Sequence, residues 1–262
     1  MKQKHTFLAL FTLLVYLFIF APLVIVVMTS FNAGEYVAFP PEGFSLRWYL
    51  SVFRNESFME SFALSIKVSL LSTVLSLLVG VPGAYAVSRS QFRGKRLVKD
   101  LFFAPNFVPA VVLGFALYIM VVVQLRQKIE FALLVGLAVS VITYTFRMVG
   151  TGIDKFDYSI EEAAMSLGAT RTRVFFTILL PNISSSMISA FLMAFISAFN
   201  NVALTRFLTG PGVVTLPINM MSYLEFHYDP SISALSVLLM FMSLIIIFVS
   251  EKVTNRKNEA AS

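Results

Sequence analysis

The chain has no cysteine, one tryptophan and two histidines in 262 residues. Without cysteine there is no disulfide, no thiol nucleophile and no thiolate metal site. His5 and His227 stand far apart, at positions that read as a terminus and a loop, and suit solvated side chains better than ligands. No metal site is expected. Charge is scarce: 13% of residues are charged, roughly half of what a soluble domain carries. No G-x-x-x-x-G-K-[ST] phosphate loop occurs, because Gly94 and Lys95 are followed by Arg96 and lack the upstream glycine. The chain therefore holds no ATP through such a loop, and any ATP it depends on sits on a partner. It is not expected to be an enzyme or to carry a cofactor.

What is present is apolar. The composition is 58% hydrophobic with 27 phenylalanines, and several runs reach the roughly 20 residues that cross a bilayer. We read an all-α membrane protein with six transmembrane helices, at 7–28, 61–87, 101–123, 131–149, 178–200 and 232–249. The first run is longer than the core of a secretory signal and is not followed by a small-residue cleavage site. Pro22 should kink it near its outer end, and Pro105 and Pro109 should break the third span. Lys67 lies inside the second span near its outer end and is expected to snorkel, while Gly80 and Gly83 allow close helix contact. Between the first two spans, Leu46, Tyr49, Leu50 and Phe53 recur at helical spacing, so a short interfacial helix is expected, with Trp48 and Tyr49 as anchors. Residues 201–231 read as irregular.

The basic residues are unevenly placed. Fourteen of the twenty Lys and Arg fall on the side of the N-terminus and five on the other, with Lys67 in a span. Positive charge favours the cytoplasmic side, which places both termini and the 152–181 loop there. The net charge of +6 thus marks orientation in a membrane, not a nucleic-acid partner. The expected division is 1–30 (cytoplasmic N-terminus and first span), 31–60 (external loop), 61–250 (five-helix core containing the 152–181 loop) and 251–262 (cytoplasmic tail). All fourteen carboxylates lie outside the spans, which weighs against an ion-coupled secondary transporter. A channel would want a filter-like ring or repeat, and none is seen.

One polar stretch, 159–181, looks built. Ser159 and Glu162 have the S-x-x-E spacing of a capping box. Gly168 sits where a helix stops and φ turns positive. Thr170 can cap a second short helix whose Val174, Phe175 and Ile178 lead to Pro181. Helix, tight turn and helix are expected, with Ala163 and Ala164 leaving one face bare for docking into a groove; an ordinary connecting helix is the plainer reading.

Glu162, Ala163, Ala164, Gly168, Ile178, Leu180 and Pro181 match the EAA loop, and the chain resembles the membrane subunits of ABC importers. The 44–49 segment, 208–212, 215–217 and 230–240 also look like the PotC-like (spermidine/putrescine) permease group. The resemblance implies a type I importer fold in a bacterial inner membrane, with the EAA loop as a coupling helix seated in an ABC ATPase subunit. It also implies a second, PotB-like permease and an external solute-binding protein. ATP closure would then move the coupling helices and swing the pore. One departure stands out. Members of this group commonly carry an acidic pair after the fifth span, where this chain has Asn200 and Asn201, with Arg206 beyond. Neutral amides and an arginine offer a cation no attraction. The expected solute is therefore zwitterionic or anionic, for example an aminophosphonate or an opine-like compound, with these three residues on its path. Helix capping by the two asparagines is an equal reading.

Overall fold

The computed structural model describes residues 2–259, and the side chains of residue 8 and of residues 10–248. The expectations for Lys2, Lys4, His5, Lys252, Arg256 and Lys257 fall outside the described side chains. Thirteen helices are named in chain order. They are α1 (Lys2–Ser30), α2 (Arg47–Arg54), α3 (Glu56–Arg89), α4 (Lys95–Phe103), α5 (Ala110–Leu117), α6 (Ile129–Lys155) and α7 (Tyr158–Ser166), then α8 (Arg171–Val174), α9 (Leu180–Asn182), α10 (Ser184–Phe199), α11 (Val202–Thr205), α12 (Leu216–Phe226) and α13 (Ser231–Glu259). A 3-10 turn follows α4, and π-helical turns follow α5 and α8.

Four stretches are single helices long and apolar enough to cross a membrane: Leu10–Ser30, Glu56–Arg89, Ile129–Lys155 and Ser231–Phe248. Two bent pairs pass the same test when the halves of each are taken together, which gives four to six candidate spans. The chain turns by 99° between Lys95–Phe107 and Ala110–Gln124, and by 73° between Arg171–Asn182 and Ser184–Phe199. The first break falls at Pro105 and Pro109, as the sequence leads one to expect. There Val108 is extended, because a residue before proline is pushed out of the helical region. The second puts a bend inside the 178–200 stretch. Its apolar helix α10 has only 16 residues, about 24 Å of rise, and the chain breaks at Ile183 just after Pro181. One other expectation changes: residues 201–231 hold the eleven-residue helix α12 and the short α11. Pro22 lies inside α1, which is assigned as one helix across it.

The chain divides into two compact units. One comprises Met1–Glu60 and Asn219–Leu244. Within it Ser30 bonds Tyr49 (2.7 Å), Thr29 donates to Ser233 (3.1 Å), and Trp48 Nε1 donates to the carbonyl of Asn32 (2.9 Å). The aromatic anchors of α2 are thus tied to the end of α1 and the loop after it. Val52 is buried while Leu50 and Phe53 face outward, so α2 has an exposed apolar side. His227 stacks on Tyr223 with ring centroids 4.2 Å apart.

The other unit comprises Ser61–Ile218 and Ile245–Ser262 and is built around α6. Leu133, Leu137 and Val141 meet Val68, Ala194, Ala198 and Leu204 in one cluster; Phe146, Val149 and Ile153 meet Val81, Ala84 and Leu179 in another. Residues spaced by three or four along α6 face the same way, so a single helix serves both clusters. Close approach is bought with small residues. A Cβ on Gly80 would stand 2.5 Å from Thr145 Oγ1, and one on Gly114 would stand 2.7 Å from the carbonyl of Leu204. On α3 a buried stripe of Ser65, Ser69, Ser72 and Ser76 continues this surface. Ser76 bonds Thr145 (2.8 Å), and Ser72 donates to the Leu134 carbonyl (2.9 Å). Hydroxyls that pair across helices in this way suit apolar surroundings. Lys67 has an exposed side chain that pairs with Glu130 at 2.8 Å.

Candidate functional site

Helix α7 starts at Tyr158, two residues earlier than the S-x-x-E pattern suggests. Asp157 is the N-cap, and its carboxylate accepts from the Ser159 backbone N–H at 3.0 Å. Those hydrogen bonds hold the Asp157 carboxyl below the usual carboxylate range. Ser159 therefore lies inside the first turn, and Glu162 is too far along to reach back to the cap. The expected capping box is replaced by a single aspartate cap.

The end of α7 is as the sequence indicates. Gly168 has φ of +91°. Its N–H donates to Met165 O (3.0 Å), and the N–H of Ala169 donates to Ala164 O (3.1 Å). This pair of bonds is a Schellman motif, which requires a left-handed residue at the position Gly168 occupies. Thr170 then caps α8, accepting from the Arg173 N–H at 3.3 Å. Val174 and Leu179 are buried, Ile178 and Leu180 are half-buried, and Pro181 is exposed. Phe175 packs edge-on against Tyr85 of α3.

The outer face of α7 carries Ile160, Glu162, Ala163 and Leu167, with Ala164 half-buried. Leu167 is 91% exposed. Glu162 forms no ion pair among the described residues. The inner face holds what the sequence reading missed. Glu161 is 1% exposed and is the buried residue of α7. Arg89, the last residue of α3, donates from Nε to Glu161 Oε1 at 2.8 Å. The same guanidinium donates from Nη2 to the carbonyls of Ile153 and Phe156, each at 2.9 Å, and lies 5.0 Å from the Tyr158 ring centre. In the sequence Arg89 is one of five cations in a row of loop charges. The adjacent glutamates 161 and 162 give no sign of which one turns inward, unless α7 is first known to pack on α3.

The three residues expected on a solute path lie around α10 and α11. Asn200 ends α10 and is exposed; Arg206 follows α11 and is exposed. Asn201 caps α11, accepting from the Leu204 N–H at 3.1 Å and reaching Ser140 Oγ at 3.4 Å. Among the described residues no hydrogen bond joins the three side chains. Elsewhere in the same unit a cavity of about 310 Å³ opens between α6 and α10, lined by Arg147, Met148, Thr151, Ser185, Ser186 and Ser189. Its lining has one cation, four hydroxyls and no carboxylate. Among the described residues no group of three or more His, Cys, Asp or Glu is placed to hold a metal ion.

Solved structures share this fold. A chain of a bacterial ABC transporter involved in the import of the acidic polysaccharide alginate superposes with a TM-score of 0.70 over 98% of each chain, at 19% identity. A chain of the inward-facing MetNI methionine ABC transporter gives 0.65 over 78% of this chain and 99% of that one, at 18% identity. The architecture is that of a type I importer permease. The putrescine transport system permease protein PotI of Escherichia coli (strain K12) is 33% identical over 236 residues, 87% of this chain and 83% of that protein. The spermidine/putrescine transport system permease protein PotC of Haemophilus influenzae is 26% identical over 248 residues, 95% of this chain and 96% of that protein. The model of the family described as "binding-protein-dependent transport system inner membrane component" matches residues 72–257, so the chain belongs to that family of ABC importer permeases.

Proposed function

We propose that this permease is driven by a separate ABC ATPase subunit that docks on α7. The observation that carries the reading is the surface of that helix. A Schellman turn and a buried ion pair fix it in place, while Ala163 and the almost fully exposed Leu167 lie open on the same helix end as Glu162, which has no ionic partner among the described residues. Open apolar residues on the same helix end as such a carboxylate suit a surface that another protein covers. In this reading Glu162, Ala163, Ala164 and Gly168 meet the ATPase, and Ile178, Leu180 and Pro181 carry the segment into the fifth span. ATP stays on the ATPase, and this chain needs no cofactor of its own. A second, PotB-like permease completes the pore and an external binding protein delivers the solute. Both termini lie in the cytoplasm, 31–60 is external, 61–250 is the core and 251–262 is the tail. Uptake should stop when ATP is withdrawn at constant membrane potential; uptake that persists would return the chain to the secondary-transporter or channel class.

For the solute we propose a zwitterionic or anionic organic compound, of the aminophosphonate or opine-like kind. The support is the absence of carboxylates at Asn200 and Asn201, together with Arg206 and the Arg147-bearing hydroxyl cavity. A fixed cation favours an anionic group and repels a polyamine. The similarity to PotI and PotC favours the second reading, a polyamine. A thermal-shift screen of the cognate binding protein with spermidine, putrescine, aminophosphonates and opine-like acids separates the two, since bound ligand raises apparent stability by mass action. Stabilisation by an acid alone supports the first reading; stabilisation by a polyamine replaces it with the second.

A further inference from the structure

We propose that Arg89 and Glu161 form a rigid joint that makes α7 and the inner end of α3 move as one body. The proposal rests on the reading of α7 as the ATPase-docking helix, and names the residues that pass its motion on. One guanidinium holds three elements at once: it ends α3, takes two carbonyls from the C-terminal end of α6, and grips the carboxylate of α7. Glu161 is the buried residue of α7, and its neighbours Ala164 and Met165 are only half-buried. With so little apolar anchorage, α7 is held to the rest of its unit chiefly through this charge pair and through the chain itself. The chain joins α7 to α6 directly. It does not join α7 to α3, which lies 72 positions upstream. Arg89 is therefore the positioning residue that links the docking helix to a membrane span distant in sequence. The link depends on the planar fork. Lysine carries the same charge but cannot direct donors in fixed geometry at a carboxylate and at two carbonyls together.

The absence of cysteine allows a direct test. In the assembled transporter, spin labels at Ala86→Cys on α3 and Ser166→Cys on α7 report the distance between the two helices without and with bound ATP. A joint predicts one narrow distance distribution that is the same in both states. Adding Glu161→Gln, which keeps the shape of the side chain, or Arg89→Lys should make the distribution broaden or shift on ATP binding while the ATPase still co-purifies. A wild-type distance that changes with ATP overturns the joint, as does a Glu161→Gln transporter that behaves like wild type. A parallel Ala163→Leu variant separates this from the docking reading. If Ala163→Leu leaves ATPase association intact, the docking reading fails and the proposal falls with it. If Ala163→Leu abolishes association and the Glu161 variant matches wild type, only the joint fails.

Discussion

Arg89 closes α3 by binding Glu161 of α7 at 2.8 Å, and the carboxylate it binds is 1% exposed. A charge this deeply buried is tolerated because its partner is close and the same guanidinium donates from Nη2 to two backbone carbonyls. Removing one partner strands the other, at a cost of about 3–5 kcal/mol. Arg89→Ala and Glu161→Ala should each lower the melting temperature of the purified permease clearly. The double variant Arg89→Met with Glu161→Leu should melt above both, since it leaves no unpaired charge. Single variants that melt like wild type would show that the pair is not a structural contact in solution.

At Gly168 the backbone alone sets the penalty. A Cβ there would meet nothing within 4 Å, yet φ is +91°. A left-handed residue with a side chain costs about 1–2 kcal/mol, and a β-branched one more. Gly168→Asn should be tolerated, Gly168→Ala weakened, and Gly168→Val should reach the membrane in normal amount while losing ATPase association and uptake. Association and uptake that both survive Gly168→Val would rule out docking through this turn.

The Asp157 cap gives α7 a dependence on acid. Its folded-state carboxyl is held low by its bonds to Ser159. The cap therefore stabilises α7 fully above the ordinary carboxylate pKa, and the benefit is lost as pH falls through the lowered folded value. Protection of the 158–166 amides, taken relative to intrinsic exchange at each pH, should fall at acidic pH more in wild type than in Asp157→Asn, which keeps an acceptor but does not titrate. Equal loss of protection in both would assign the effect to another group.

Asn200 and Asn201 separate two roles. Aspartate can still accept from the Leu204 N–H, so Asn201→Asp keeps the helix cap while losing only the long contact to Ser140. With Asn200→Asp added, the protein should fold normally and import cationic solutes more readily relative to acids. Unchanged uptake and selectivity would leave capping as the whole role of this pair.

Much of this was legible in the sequence, and what was not has a physical reason. Long apolar runs announce α1, α3, α6 and α13, and a glycine after a helical pattern announces the turn at Gly168, because both signals are local. The break at Ile183 is less visible: Pro181 and the polar residues Asn182, Ser184, Ser185 and Ser186 mark a change, but composition does not record a 73° turn. Ser159 reads as the cap in the sequence because Asp157 and Ser159 are both good N-caps two residues apart, and only the backbone decides between them. The Arg89–Glu161 pair escaped because its partners are separated by three helices and each has an ordinary reading where it stands. A loop cation near a membrane reads as an orientation signal, and one of two adjacent glutamates reads as surface.

The most direct measurement of the central claim uses a single introduced thiol. With Leu167→Cys as the sole cysteine, maleimide labelling is compared in the permease alone and in the complex with its ATPase. The account predicts rapid labelling alone and strong protection in the complex, together with a thiol-to-amine cross-link to the ATPase. Equal labelling in both, without a cross-link, would contradict the claim that α7 is where ATP hydrolysis is passed to this chain.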